Sequence, residues 1–152
     1  MNGGTVTYRA AQGEKYPVGG PDSGSELADG VERARTLAEN TLGALCGSAR
    51  LYLMSAVETD GELRVRFGYL LDGSPVYVGS EGWSAEFVIK DGYIIGFTLR
   101  FRAYAANGEQ TLLLPIDKAA AMLPDLTDQR RELVIRYRDG GGDSLFPEWA
   151  AV

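Results

Sequence analysis

From Tyr93 onward the chain alternates with a period of two. Tyr93, Ile95, Phe97, Leu99 and Phe101 fall on one side of an extended strand, and Thr98, Arg100 and Arg102 on the other. The same period runs through "ARLYLMSAVE" (49–58), "ELRVRFGYLL" (62–71), "GWSAEFVIK" (82–90), "YIIGFTLRFRAY" (93–104) and "QTLLLPI" (110–116). Between these segments lie Asp60-Gly61, Asp72-Gly73, Asp91-Gly92 and Asn107-Gly108. Such pairs favour tight hairpins because both residues tolerate positive φ. Asp72-Gly73 runs on into Ser74-Pro75, which lets it form a longer loop instead.

Ahead of the strands the period is 3.6. In "SELADGVERARTLAENTLGALCG", Leu27, Val31, Ala34, Ala38, Leu42 and Leu45 line one face of a helix over 25–46. Ser23 with Glu26 reads as a capping box and Gly47 as a stop. Gly30 weakens the helix interior by about 1 kcal/mol relative to alanine, so tertiary packing must hold it. Later, "DKAAAMLPDL" predicts a short helix begun by Asp117 and ended near Pro124. "ELVIRYR" predicts the last strand, "DGGGDS" a turn and "LFPEWAAV" a tail whose Phe146 and Trp149 pack back on the domain.

The pattern predicts an α+β fold: an antiparallel meander packed on one long N-terminal helix, with a short second helix before the last strand. Residues 1–24 read as an arm or linker in which "TVTYRA" forms an edge strand, and 25–152 as a single domain. Val65, Phe67, Tyr69, Phe87, Ile89, Phe97, Leu99, Phe101 and Ile135 are expected to form the sheet side of the core.

Composition narrows the function. The 152 residues suit one domain, and the net charge of −6 opposes general nucleic-acid binding, which needs a cationic field. With no histidine, the usual general base, metal ligand and pH switch are missing. The one cysteine, Cys46, permits no intramolecular disulfide and lacks a histidine to activate it. No apolar run of about 20 residues is present to span a bilayer, and the segment itself is expected to make no membrane contact. The Met-Asn-Gly-Gly start fits a trimmed part of a longer protein.

Chemistry-bearing motifs are weak. Glu58, Asp60 and Glu62 surround a turn, where solvent keeps carboxylates ordinary. "DGGGD" (139–143) offers two carboxylates to a hard cation but lacks the remaining ligands of a calcium loop. Neither a GxSxG nor an SxxK nucleophile motif occurs. The expectation is a non-enzyme with no catalytic residue, no metal and no cofactor.

The arginines are the uneven feature. If the alternation holds, Arg50, Arg64, Arg66, Arg100, Arg102, Arg136 and Arg138 leave the sheet on its outer face, seven of fifteen basic side chains. One reading is a solvated face laced with cross-strand pairs to residues such as Glu86. The other is a face for an acidic protein partner, a second domain or an anionic polymer.

The order of these segments resembles a known family. "YLLDGSPVYVGSEGWSAEFVIKDGYIIGFTLRF", then "LLPIDKAAAML", then "ELVIRYRDGGGDSLFPEWAAV" with Pro147-Glu148-Trp149, is similar to the C-terminal domain of YycH/YycI-type regulatory proteins of Gram-positive bacteria, and more loosely to PepSY-like modules. The resemblance covers roughly 25–152. It implies a non-enzymatic, extracytoplasmic regulatory domain, membrane-anchored in the full-length protein, whose protein partner is a sensor kinase ectodomain or another domain of the full-length chain. The chain departs from that pattern in lacking the family's N-terminal anchor. A small-ligand-binding or peptidase-inhibitory domain of cystatin-like or PepSY-like form is the alternative. The expected inward positions are nearly all apolar, with Tyr69 the main polar handle, which favours the binding module.

Overall fold

A computed structural model describes residues 3–10, 16–17, 26–108, 111–122 and 132–152. The fold is α+β. In chain order come β1 (Thr5–Arg9), β2 (Tyr16–Pro17), α1 (Glu26–Thr41), β3 (Arg50–Thr59), β4 (Glu62–Leu71), β5 (Ser74–Val78), β6 (Ala85–Lys90), β7 (Tyr93–Arg100), α2 (Ile116–Met122), β8 (Leu133–Asp139) and β9 (Phe146–Ala151). A single 3₁₀ turn, Gly43–Leu45, follows α1.

Asp60, Asp72 and Asp91 each take φ near +50°, and the glycine after each is also positive. These are the tight turns that the Asp-Gly pairs predict. Asp72-Gly73 is such a turn and not a longer loop, because Ser74 pairs directly with Leu71. Pro75 is tolerated in β5 because the pairing of β5 with β8 begins only at Val76.

The sheet departs from a simple meander. Its path is β1-β7-β6-β4-β5-β8-β9, with β3 paired to β4 and β2 to β7. One edge of β4 is shared: Glu62–Phe67 pair with β6 and Tyr69–Leu71 with β5. Its other edge is taken along its length by β3. β5 and β8 run parallel, a non-local pairing that no local turn signal announces. The expected tail is a further strand, β9, so α2 precedes two strands and not one. Trp149 is half-buried and its indole N–H donates to Leu114 O at 2.8 Å, whereas Phe146 stays 61% exposed.

Helix α1 lies on the face of Leu63, Val65, Phe67, Phe87 and Ile89. It presents Gly30, Ala34 and Ala38, followed by Leu42 just beyond its end, all buried. This face is narrower than the predicted one: Leu27 is exposed on α1 itself, and Leu45 is exposed in the 3₁₀ turn. The predicted cap at Ser23 and the stop at Pro124 lie outside the described residues. Val65, Phe67, Tyr69, Phe87, Ile89 and Leu99 are buried as expected, Phe97 and Phe101 are half-buried, and Ile135 stands beyond the helix and is exposed.

The alternation from Tyr93 is broken by a β-bulge. Val88 pairs with Gly96 and Ile89 with Ile94, so Ile95 is the extra residue. Ile94, and not Ile95, therefore enters the core, while Tyr93 pairs with Lys90 and is exposed. β7 ends at Arg100. No strand forms at Thr111–Pro115, where Leu112 and Leu114 are exposed, and Asn107-Gly108 is accordingly not a hairpin turn.

A Cβ on Gly30 would stand 3.0 Å from Leu63 Cδ2 and 3.3 Å from Ile89 Cδ1. Gly30→Ala gains about 1 kcal/mol of helix propensity but must press those methyls aside. Its unfolding free energy, measured in urea, is expected within about 1 kcal/mol of the parent. Gly30→Leu is expected to lose about 1–3 kcal/mol by overpacking. An unchanged midpoint for Gly30→Leu would show that the two layers are not in close contact there.

Candidate interaction surface

Arg64 and Arg66 leave β4 opposite Val65 and Phe67, so both emerge on the face away from α1. Glu86 stands across from Arg66 on β6. Its Oε2 receives the Arg66 fork, with Nε and an Nη2 each at 2.7 Å. Its Oε1 lies 3.6 Å from Arg64, whose other nitrogen is 3.5 Å from Glu62. Lys90 extends this ladder to Glu62 at 3.7 Å.

Arg100 completes the group from β7. Its guanidinium lies 3.7 Å from the centroid of the buried Trp83 ring, donates to Trp83 O at 3.0 Å and meets Glu81 at 3.2 Å. Arg66 approaches the same ring at 5.9 Å. A shallow hollow of about 370 Å³ lies between these side chains. Farther along the same face, Arg136 and Arg138 share Glu148 at 2.8 and 3.9 Å, and Arg136 covers Tyr77 at 4.3 Å.

Two predicted members do not join. Arg50, at the start of β3, is exposed and makes no ion pair among the described residues. Arg102 follows the end of β7, where strand alternation no longer applies, and turns to Asp139. The arginines thus form two self-paired groups and a separate buried node, and not one free cationic face. Exposed pairs of this kind contribute little stability each.

The Arg102 node is structural. Asp139 is 2% exposed at the end of β8. Tyr104 O–H donates to its Oδ2 and Gly141 N–H to its Oδ1, both at 2.8 Å. Arg102 Nε also lies 2.8 Å from Oδ2, but off the N–H axis, so this is an ion contact and not an aligned hydrogen bond. The "DGGGD" segment therefore spends its first carboxylate inside the fold. Cys46 is buried as well, its Sγ near Gly43 O and Ala49 O at 3.2 and 2.9 Å, and burial raises its thiol pKa. That favours the inert thiol.

One surface escaped the sequence reading. Along its ten residues β3 pairs with β4 only, and its other edge has no partner strand among the described residues. Leu53, Met54 and Val57 are exposed there, at 47%, 39% and 55%. A bulge at Met54 interrupts the alternation, which brings Leu53 to the helix side and Val57 to the outer side. The signal was present in "LYLMSAV", whose apolar residues do not alternate cleanly.

Comparison with known proteins finds no matching family model, no matching curated protein and no matching solved structure.

Tyr104→Phe removes a hydrogen bond to a buried carboxylate and is expected to cost about 1.5–3 kcal/mol in denaturant unfolding. Burial first, then the bond to Asp139, raises the Tyr104 pKa, and burial likewise raises that of Tyr69. The folded state therefore holds these protons at pH values where the unfolded state has released them. Their contribution is full below about pH 10 and declines as pH rises above it. Tyr104→Phe should make the stability profile above about pH 10 less steep. A parallel profile in the variant would refute the linkage.

Proposed function

We propose that the chain is a non-enzymatic, protein-binding regulatory domain that engages an extended strand of its partner along the free edge of β3. The observation that carries this is the ten-residue edge that has no partner strand among the described residues, with Leu53, Met54 and Val57 exposed beside it. An open strand edge presents a row of N–H and C=O groups that another strand can complete, and natural folds usually blunt such edges with charge or proline. Within β3 the charged residues are Arg50 and Glu58, one near each end, and there is no proline. The bulge at Met54 is its one protective device.

The self-paired arginines support a secondary role for the outer face, as the flank of this edge and not as a free anion-binding surface. The resemblance to YycH/YycI-type C-terminal domains supports an extracytoplasmic, membrane-anchored setting. It also supports a sensor kinase ectodomain, or another domain of the full-length chain, as the partner.

A photo-crosslinking residue at Val57, with Asp91 as a control position on another turn, tests the proposal in source cells. A defined adduct to one other polypeptide is expected from position 57 and not from 91. Leu53→Lys should abolish it, while unfolding shifts by no more than about 0.5 kcal/mol because the side chain is half outside. Failure to form an adduct at 57, or one insensitive to Leu53→Lys, would overturn strand addition at this edge.

A further inference from the structure

The free edge of β3 is complementary to itself. The strand is ten residues long, and Met54 is the one residue that the bulge leaves without a partner on β4. Ahead of the bulge Leu51 and Leu53 stand opposite Tyr69 and Phe67, so odd-numbered residues face the helix side. Past it Ala56 and Glu58 stand opposite Val65 and Leu63, so even-numbered residues do. The bulge thus reverses the parity of the strand near its middle.

That reversal matters when the strand meets a copy of itself. A two-fold axis through the sheet keeps both helices on one side, so helix-side residues must meet helix-side residues. An unbulged ten-residue strand laid flush and antiparallel against itself pairs opposite faces instead. With the bulge, the flush arrangement matches faces throughout. Ser55 meets its counterpart at the axis, Leu53 meets Ala56 and Leu51 meets Glu58 on the helix side, and Tyr52 meets Val57 and Arg50 meets Thr59 on the outer side. Leu53 and Val57, 47% and 55% exposed, each gain an apolar neighbour. A parallel arrangement would set the helix-side row of one copy against the outer row of the other.

Charge and side-chain direction agree with this register. The two Arg50 residues would lie about 26 Å apart along the strands and the two Glu58 about 20 Å, beyond the screening length of about 8 Å. Tyr52 and Met54 lean inward over Gly68 of β4, where an added Cβ would stand 2.7 Å from Tyr52 Cε1 and 2.8 Å from Met54 Sδ. These two long side chains therefore leave the edge itself clear.

We propose that, before a partner strand arrives, the β3 edge is closed by β3 of a second copy, antiparallel about a two-fold axis at Ser55. This rests on the strand-addition reading of the same edge and makes self-pairing the state that a partner must displace. Self-pairing hides the exposed leucine and valine and completes the backbone that no other strand pairs among the described residues.

Single cysteine variants in the purified chain, oxidised with glutathione disulfide, test both the pairing and its register. Directly opposed residues have Cα atoms about 4.5–5.5 Å apart, within disulfide reach. Ser55→Cys is expected to give a disulfide-linked dimer by non-reducing electrophoresis. Val57→Cys should not, because its two copies lie about 13 Å apart along the strands. Arg50→Cys and Thr59→Cys should each stay monomeric alone and cross-link when mixed. The parent chain, whose Cys46 is buried, is the blank. A monomeric Ser55→Cys, or a Val57→Cys that cross-links as readily, overturns the proposal. If that happens while the position-57 photo-adduct in cells still contains a different polypeptide, strand addition stands and only the second copy is removed. Register-specific cross-linking of Ser55→Cys without any such adduct supports self-pairing and removes the separate partner.

Discussion

The distance between α1 and the sheet is set by what the helix lacks. Gly30, Ala34 and Ala38 are the fully buried positions of the helix and carry little side-chain bulk, with the larger Val31 and Leu37 only half-buried against the core, and a Cβ on Gly30 would already touch Leu63 and Ile89. The helix therefore lies low, and the sheet supplies the volume of the core. Phe67, Phe87 and Phe97 follow one another at centroid separations of 6.1 and 6.0 Å, and Tyr8 of β1 stacks on Phe97 at 5.1 Å. Through that chain of rings the N-terminal edge strand is tied to the same core as the helix. A bulkier residue at position 30 would lift the helix from the rings that depend on its contact.

The end of α1 carries the constraint onward. Leu42 is fully buried, and the chain then tightens into the 3₁₀ turn. Gly47 lets the following backbone meet Tyr104. Tyr104 packs edge-on against Tyr69 at 5.4 Å and reaches the buried Asp139. Asp139 in turn stands at the last parallel pair between β5 and β8, where its carbonyl receives Gly79 N–H at 2.9 Å. One connected set of contacts thus runs from the helix to the parallel β5–β8 pair. Asp139 is an expensive residue to bury, and its two donors, the nearby guanidinium and the backbone around it offset that desolvation.

Several of these features were legible in the sequence because they are local demands. An Asp-Gly pair needs only its own two residues to favour positive φ, and three such pairs formed tight hairpins at the predicted positions. The α1 periodicity and most sheet-side core positions were readable for the same reason. What failed depends on partners distant in the chain. The bulge at Ile95 exists because β6 and β7 slip by one residue, and no pattern within β7 alone announces it. The β5–β8 pairing joins segments some sixty residues apart by number, from Val76 to Tyr137. Alternation carried past Arg100 puts Arg102 outside, but the strand ends at Arg100.

Charge is partitioned across the molecule in a way that neither composition nor alternation shows. Glu86 and Glu148 each serve two arginines, so the outer face carries many charges but little unpaired field. Such a face resists nonspecific association without attracting anions strongly. The β3 edge has the opposite character: exposed apolar side chains beside backbone that no strand pairs among the described residues. Backbone pairing by itself is almost indifferent to sequence, so selectivity at that edge must come from the side chains above and below it. On the helix side these are Leu51, Leu53 and Ala56, and on the outer side Tyr52, Ser55 and Val57, next to Arg64 and Arg66. A strand laid there would meet apolar residues on both faces but guanidinium groups on one only. Its orientation would therefore be set by the arginine ladder even though its affinity is not.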